Sequence, residues 1–182
     1  MDLYSFCKFL HVLSAVLWVG GGFIFVVLGV SASRLNDPVE IVSVVRNVAF
    51  LANRFFIPSS LATLVFGLIT AFLGSLYGTL WIWIGLAGFA ATFATGALIL
   101  GPTAERMVAA DKAGDVAGAA SIGKGLLKTA KFDYVVLAVV IADMVMKPGL
   151  SDWPLLIAMV VAIVAGALYF LGDLVMRPRA AA

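Results

Sequence analysis

Three ionisable side chains stand inside otherwise apolar stretches: Lys8 and His11 in the run Leu3 to Val30, and Asp143 shortly before Lys147. Ionisable groups are costly in hydrocarbon, so these are the first candidates for chemistry. Lys8 and His11 are three apart, which puts them on one helix face. A neutral imidazole at His11 could ligate haem iron or a copper or zinc ion. A six-coordinate haem needs a second ligand, and Met144 or Met146 could supply it, although methionine also fills apolar cores. A Lys8–Asp143 ion pair or a His11–Asp143 hydrogen bond is open to the same set. So are local arrangements: Asp143 with Lys147 and Asp173 with Arg177, each at i,i+4, or a buried His11 bonded to a backbone carbonyl.

Other chemistries lack their parts. Cys7 is the only cysteine, so an intrachain disulfide and a CxxC site are excluded. It lies about 100° round the helix from Lys8 and could join a copper site only if it too faces inward. One histidine excludes a site built from two imidazoles of one chain. No Walker A loop, nucleophile elbow, HExxH or dinucleotide fingerprint occurs, so hydrolase and ATPase activity have no support. A net charge of +2 is far too small for an electrostatic nucleic-acid binder.

The elements that position these residues follow from composition. Of 182 residues, 63% are hydrophobic and 12% charged, and mean hydropathy is +1.12. Soluble domains carry about a quarter charged residues, so the chain reads as an integral membrane protein. A span needs about 20 apolar residues. The predicted spans are 3–30, 55–73, 80–100, 126–146 and 153–176. The charge-free run Phe55 to Ala104 is twice too long for one span, and Gly74-Ser75-Leu76-Tyr77-Gly78 is the expected hairpin within it. The fourth span is the shortest apolar stretch, and Lys128, Lys131 and Lys147 would have to snorkel.

The positive-inside rule supports five spans. Arg34, Arg46, Arg54, Arg106, Lys112, Lys124, Lys128, Lys131, Arg177 and Arg179 then share one side, and only Lys8 and Lys147 face the other. The N-terminus is expected outside and the C-terminus in the cytoplasm. Tyr4, Tyr77, Trp81 and Trp153 form the outer aromatic belt. The first span, with a long apolar region and no basic lead, is expected to be retained rather than cleaved.

Between the first two spans, Asp37-Pro38-Val39-Glu40 reads as a helix start. Ile41, Val44, Val45, Val48, Leu51, Ala52 and Phe55 make an apolar stripe, predicting an amphipathic surface helix over about 38–53. Gly114, Gly118, Gly123 and Gly125 predict broken, partly mobile helix over 103–131. In the first span Tyr4, Lys8, His11, Ala15, Trp18, Gly22, Phe25 and Gly29 form the expected bundle-facing seam. Gly20-Gly21-Gly22, with Gly88, Thr92, Gly96 and Ala158, Ala162, Gly166, suits close helix packing; the triple glycine could alternatively make room for a flat ligand.

Lys8-Phe9-Leu10-His11 followed by Trp18-Val19-Gly20 resembles the first helix of HemJ-type protoporphyrinogen oxidases and CopD-type copper-resistance membrane proteins. Arg54, Ile57-Pro58 and Val65-Phe66-Gly67-Leu68 are similar to their second helix, and Trp81-Ile82-Trp83-Ile84-Gly85-Leu86 to their third. Val145-Met146-Lys147-Pro148 resembles the end of their fourth. The resemblance covers roughly residues 1–150 and is nearest to a bacterial family of small uncharacterised membrane proteins. It implies a four-helix core with haem b held through His11, and with Lys8 and Lys147 as companions. This chain lacks the further histidines of HemJ-type proteins, the Pro-Arg segment after their first helix is Val26-Val27-Leu28-Gly29 here, and the fifth span is extra.

The expectation is therefore an all-α, five-span bundle in a bacterial inner membrane, with lipid as its first partner. A haem- or metal-associated redox or cofactor-handling role through His11 leads. A non-catalytic subunit of a larger membrane complex or homo-oligomer is the alternative. A small metal or ion transporter lined by Lys8, His11 and Asp143 is the third reading.

Overall fold

The computed structural model describes residues 2–35 and 37–176, and all its regular elements are helical. Helix α1 is Leu3–Leu35, α2 Pro38–Leu51, α3 Ile57–Leu73, α4 Leu80–Thr95, α5 Gly101–Lys112, α6 Val116–Met146 and α7 Trp153–Met176. Four stretches are long and apolar enough to cross a membrane: Leu3–Arg34, Arg54–Leu73, Leu80–Lys112 and Trp153–Asp173. Only 6% to 22% of their most apolar windows is buried. The exposed remainder, such as Phe9, Val16, Phe72, Val160 and Leu168, suits contact with lipid.

Local chemistry sets the helix ends. Asp2 accepts a hydrogen bond from the Ser5 N–H at 2.7 Å, which holds the Asp2 carboxyl below its usual range. Asp37 caps α2 by accepting from Val39 and Glu40 N–H, with Pro38 in the first turn. The α3–α4 hairpin falls at 74–79, where it was expected, but the left-handed residue is Ser75 (φ 52°), while Gly74 keeps φ −88°. Gly74 serves a different end: a Cβ there would meet the Tyr4 ring at 2.9 Å.

Two π-helical turns, Ala52–Phe56 and Gly96–Leu100, join α2 to α3 and α4 to α5 without a break. Each immediately precedes a proline-bearing helical turn, with Pro58 and Pro102 two residues on. Proline lacks an N–H and its ring crowds the carbonyl four residues back, here Arg54 and Leu98. A wider turn at those residues relieves the clash and keeps the helix going.

The helices pack in constant antiparallel registers. Along α1 and α3, Tyr4 meets Gly74, His11 meets Gly67 and Gly22 meets Phe56. Along α1 and α6, Gly22 meets Tyr134 and Gly29 meets Leu127. Against α4, Met144 of α6 sits on Gly85 and Val140 on Gly88. Against α7, Val135 sits on Gly166 and Lys128 binds Asp173. Helix direction thus alternates through α1, α3, α4, α6 and α7.

The segment 103–131 is helix broken once, at Gly114 as its glycines lead one to expect, while Gly118, Gly123 and Gly125 are taken into α6. α5 continues the α4 line, turns at Ala113–Asp115 with Gly114 at φ 84°, and re-enters as α6, capped by Asp115 on the Gly118 N–H at 2.8 Å. Tertiary packing overrides the glycine penalty. Val42, Val45, Ala104, Met107, Ala119 and Leu126 form one buried cluster joining α2, α5 and α6. Ile41, Val42 and Val45 are the buried residues of α2, so protein covers its apolar face. Arg46 adds an exposed 3.6 Å ion pair to Asp111.

Candidate functional site

Most polar side chains within the apolar helices satisfy themselves locally. Ser14, Ser59, Ser60, Thr63, Thr70 and Thr92 each donate to a carbonyl three or four residues back on their own helix. This is the low-cost solution for a hydroxyl in an apolar helix. Among the described residues His11 and Asp143 depart from it, as do Tyr134, which reaches the Val19 carbonyl on α1, and Ser33, whose buried hydroxyl has no partner.

His11 reaches across to α3, where its Nδ1 lies 2.7 Å from the Thr63 carbonyl oxygen. A carbonyl only accepts, so Nδ1 carries a proton, and in the neutral ring Nε2 has the lone pair. The ring lies against Gly67, where a Cβ would approach Nδ1 to 2.8 Å. Sequence reasoning missed Thr63 and Gly67 as partners. The signal available was the spacing, since Gly67 stands one turn after Thr63 and exposes that carbonyl to a side chain from α1.

Asp143 is fully buried at 0% exposure, and neither carboxylate oxygen has a hydrogen-bond partner among the described residues. It lies in the last turn of α6 beside Gly85 of α4, whose Cβ position is 3.5 Å from Oδ2. A negative charge in that turn also opposes the helix dipole. Its backbone carbonyl accepts the Lys147 N–H at 2.8 Å as the helix ends.

The remaining candidates scatter. Lys8 is exposed, not on the inward seam, with Nζ 5.9 Å from the Tyr4 ring centroid. The buried residue of that turn is Cys7, at 5% exposure. Lys147 lies over Trp81 at 5.3 Å. Met144 fills the space at Gly85, and Met146 lines a furrow towards α7. Trp18 packs edge-on against Phe89 at 5.5 Å. Asp173 binds Lys128 at 3.0 Å; its expected neighbour Arg177 lies outside the described residues, as does Arg179.

Register brings His11 and Asp143 to one end of the bundle. Gly22 lies level with Tyr134, so eleven residues along each helix place His11 level with Val145. They occupy different interfaces, however: His11 lies between α1 and α3, and Asp143 between α6 and α4. Neither Lys8 nor Lys147 is within ion-pair distance of Asp143 among the described residues. Two ammonium groups rest on aromatic rings at this end while the carboxylate is unpaired.

Haem b, implied by the resemblance, can be tested against this geometry. The His11 tautomer suits a metal ligand, because a backbone carbonyl fixes Nδ1–H and leaves Nε2 available. The expected companions do not fit. Lys8, Met144, Met146 and Lys147 all point to other neighbours, and within one chain they do not assemble a haem pocket around His11. The triple glycine makes no flat slot either: Gly21 is covered by the Phe55 ring, and Gly22 by the Tyr134 hydroxyl, which donates to the Val19 carbonyl at 2.8 Å. Among the described residues no cluster of three His, Cys, Asp or Glu side chains could hold a metal ion.

A family described as predicted integral membrane protein (DUF2269) matches residues 5–148. No curated protein and no solved structure matches the chain.

Proposed function

The chain belongs to the DUF2269 family of predicted integral membrane proteins, and from that premise we propose that it handles a proton or small cation at Asp143. The observation that carries this reading is a fully buried carboxyl group with both oxygens unpartnered. An unpaired carboxylate in hydrocarbon is costly. A cation delivered to its oxygens relieves that cost, and a proton is the smallest. Lys147, one turn away, and His11, at the same end, are the polar neighbours such traffic would meet.

In this reading α6 is the fifth span. Its Lys128 is level with Asp173 and its Lys147 with Trp81, so residues 128–147 run beside the whole apolar length of α7. The basic residues of α5 and early α6 then face the cytoplasm, and the Tyr4 end faces outward. A bacterial cytoplasmic membrane is the setting that the resemblance suggests.

The test is ion flux in liposomes holding purified protein, with an internal pH dye and added Na⁺ or K⁺. Wild type is expected to carry flux above protein-free liposomes, and Asp143→Asn to fall to that baseline. Wild-type flux at baseline, or undiminished flux in Asp143→Asn, overturns the reading. In the former case, stable co-purification with other chains would favour an accessory subunit.

The His11 tautomer supports a second reading, in which Nε2 binds haem or a metal ion whose other ligands come from outside this chain. A visible spectrum after growth with haem precursor tests the haem form. A Soret band lost in His11→Ala would support it; a colourless wild type, or a band kept in the variant, would remove it.

A further inference from the structure

We propose that the furrow between α6 and α7 binds one acyl chain of an anionic phospholipid, with the phosphate held by Lys131. The inference rests on the reading of α6 as a membrane span. The furrow has a volume of about 510 Å³ and runs on α6 from Lys131 to Met146 and on α7 from Leu155 to Phe170. The α6–α7 register makes those limits coincide, with Lys131 level with Phe170 and Met146 level with Leu155. Fifteen helical residues give a length of about 22 Å. That is enough for an extended chain entering from one leaflet, whose share of the hydrocarbon is about 15 Å.

Shape suits a single extended chain. About 510 Å³ spread over about 22 Å makes a long, narrow trough. Its lining includes Ala138, Ala142, Ala158 and Ala162 and, from α1, Phe23 and Val26. A polymethylene chain can follow so narrow a trough.

Charge fixes the headgroup. Lys131 is the one ionisable lining residue apart from Tyr134, whose hydroxyl is already committed to Val19. Lys128, one turn earlier, is paired with Asp173, while no described carboxylate lies within ion-pair distance of Lys131. An ammonium group at the basic end of an apolar trough matches a lipid phosphate in the adjoining leaflet.

The experiment compares thermal stability and retained lipid in nanodiscs of dioleoylphosphatidylglycerol and dioleoylphosphatidylcholine. Wild type is expected to retain phosphatidylglycerol with about a fivefold preference, the scale of one lysine at an anionic surface. Lys131→Ala should abolish the preference, and exposed Lys124→Ala should keep it. Ala142→Leu with Ala158→Leu should expel the lipid while the unfolding transition stays cooperative. Equal retention of both lipids by wild type, an undiminished preference in Lys131→Ala, or disulfide-linked dimers through Ala158→Cys would overturn the proposal. Labelling Ser151→Cys from each side separates the two readings. A lipid failure with Ser151 on the Tyr77 side leaves the fifth span standing, whereas Ser151 on the opposite side removes both.

Discussion

Asp143 combines complete burial, two unpartnered oxygens and an unfavourable helix end. If the group served stability, its removal would weaken the fold. If it is kept for function, a shape-matched apolar residue should relieve the desolvation cost. Asp143→Leu is therefore expected to stabilise the protein by about 1–3 kcal/mol while abolishing flux. A denaturant titration in detergent, read by tryptophan fluorescence, decides this; marked destabilisation would assign Asp143 a structural role. The three consecutive glycines offer a matched series. Nothing lies within 4 Å of a Cβ at Gly20, whereas at Gly22 it would displace the Tyr134 hydroxyl. Gly20→Ala should be neutral or gain up to about 1 kcal/mol of helix propensity. Gly22→Ala should lose the Tyr134–Val19 bond, worth about 0.6 kcal/mol and at most about 1.7 in a membrane setting. Equal melting of the two variants would show that the Tyr134 contact contributes nothing. Residue types and spacing exposed His11 and Asp143 as outliers, and six of the eight seam positions meet partners as expected. They did not reveal that Lys8 points outward and Cys7 inward. A long lysine can snorkel to a ring or to water, so helical spacing alone does not fix where its ammonium group lies.

Among the elements, the apolar helices were legible because length and hydropathy determine them almost without tertiary information. α6 was harder to read. Its first third carries Gly118, Gly123 and Gly125, which penalise an isolated helix, yet Gly123 is what allows Ile41 and Met107 to approach. A contact between residues 41, 107 and 123 is invisible to any local window. The π turns at Ala52–Phe56 and Gly96–Leu100 were equally hidden, since Pro58 and Pro102 read locally as breaks. The α2–α5–α6 cluster should behave as a packed core of its own, separate from the lipid-facing helices. Met107 is fully buried at its centre. Met107→Ala should cost about 2–5 kcal/mol. Hydrogen exchange should then accelerate in α2, α5 and residues 116–127 before it does in α3 or α7. Uniform acceleration across all helices would mean that this cluster and the spans unfold as one unit.

For the whole molecule, the decisive question is how many times the chain crosses the membrane, and the α6 charges make it a real one. Hydropathy identifies four candidate spans and omits α6, which carries Lys131, Asp133 and Asp143 within its last 16 residues. Packing argues for a fifth crossing. Contacts at Lys128–Asp173, Val135–Gly166 and Lys147–Trp81 tie α6 to α7 and α4 at both ends. On the proposed five-span reading, α6 stays level with two spans over that length. Single cysteines at Ser75, Ala113 and Ser151 should then respond to a membrane-impermeant maleimide in a fixed pattern, measured on a Cys7→Ala background. Ser75→Cys and Ser151→Cys should label from one side, and Ala113→Cys only after the other side is opened. With four crossings Ser151→Cys would join Ala113→Cys. That single exchange would take α6 out of the hydrocarbon and leave Asp143 near water. Its missing partners would then be solvent molecules, and Asp143 would not be an intramembrane cation site.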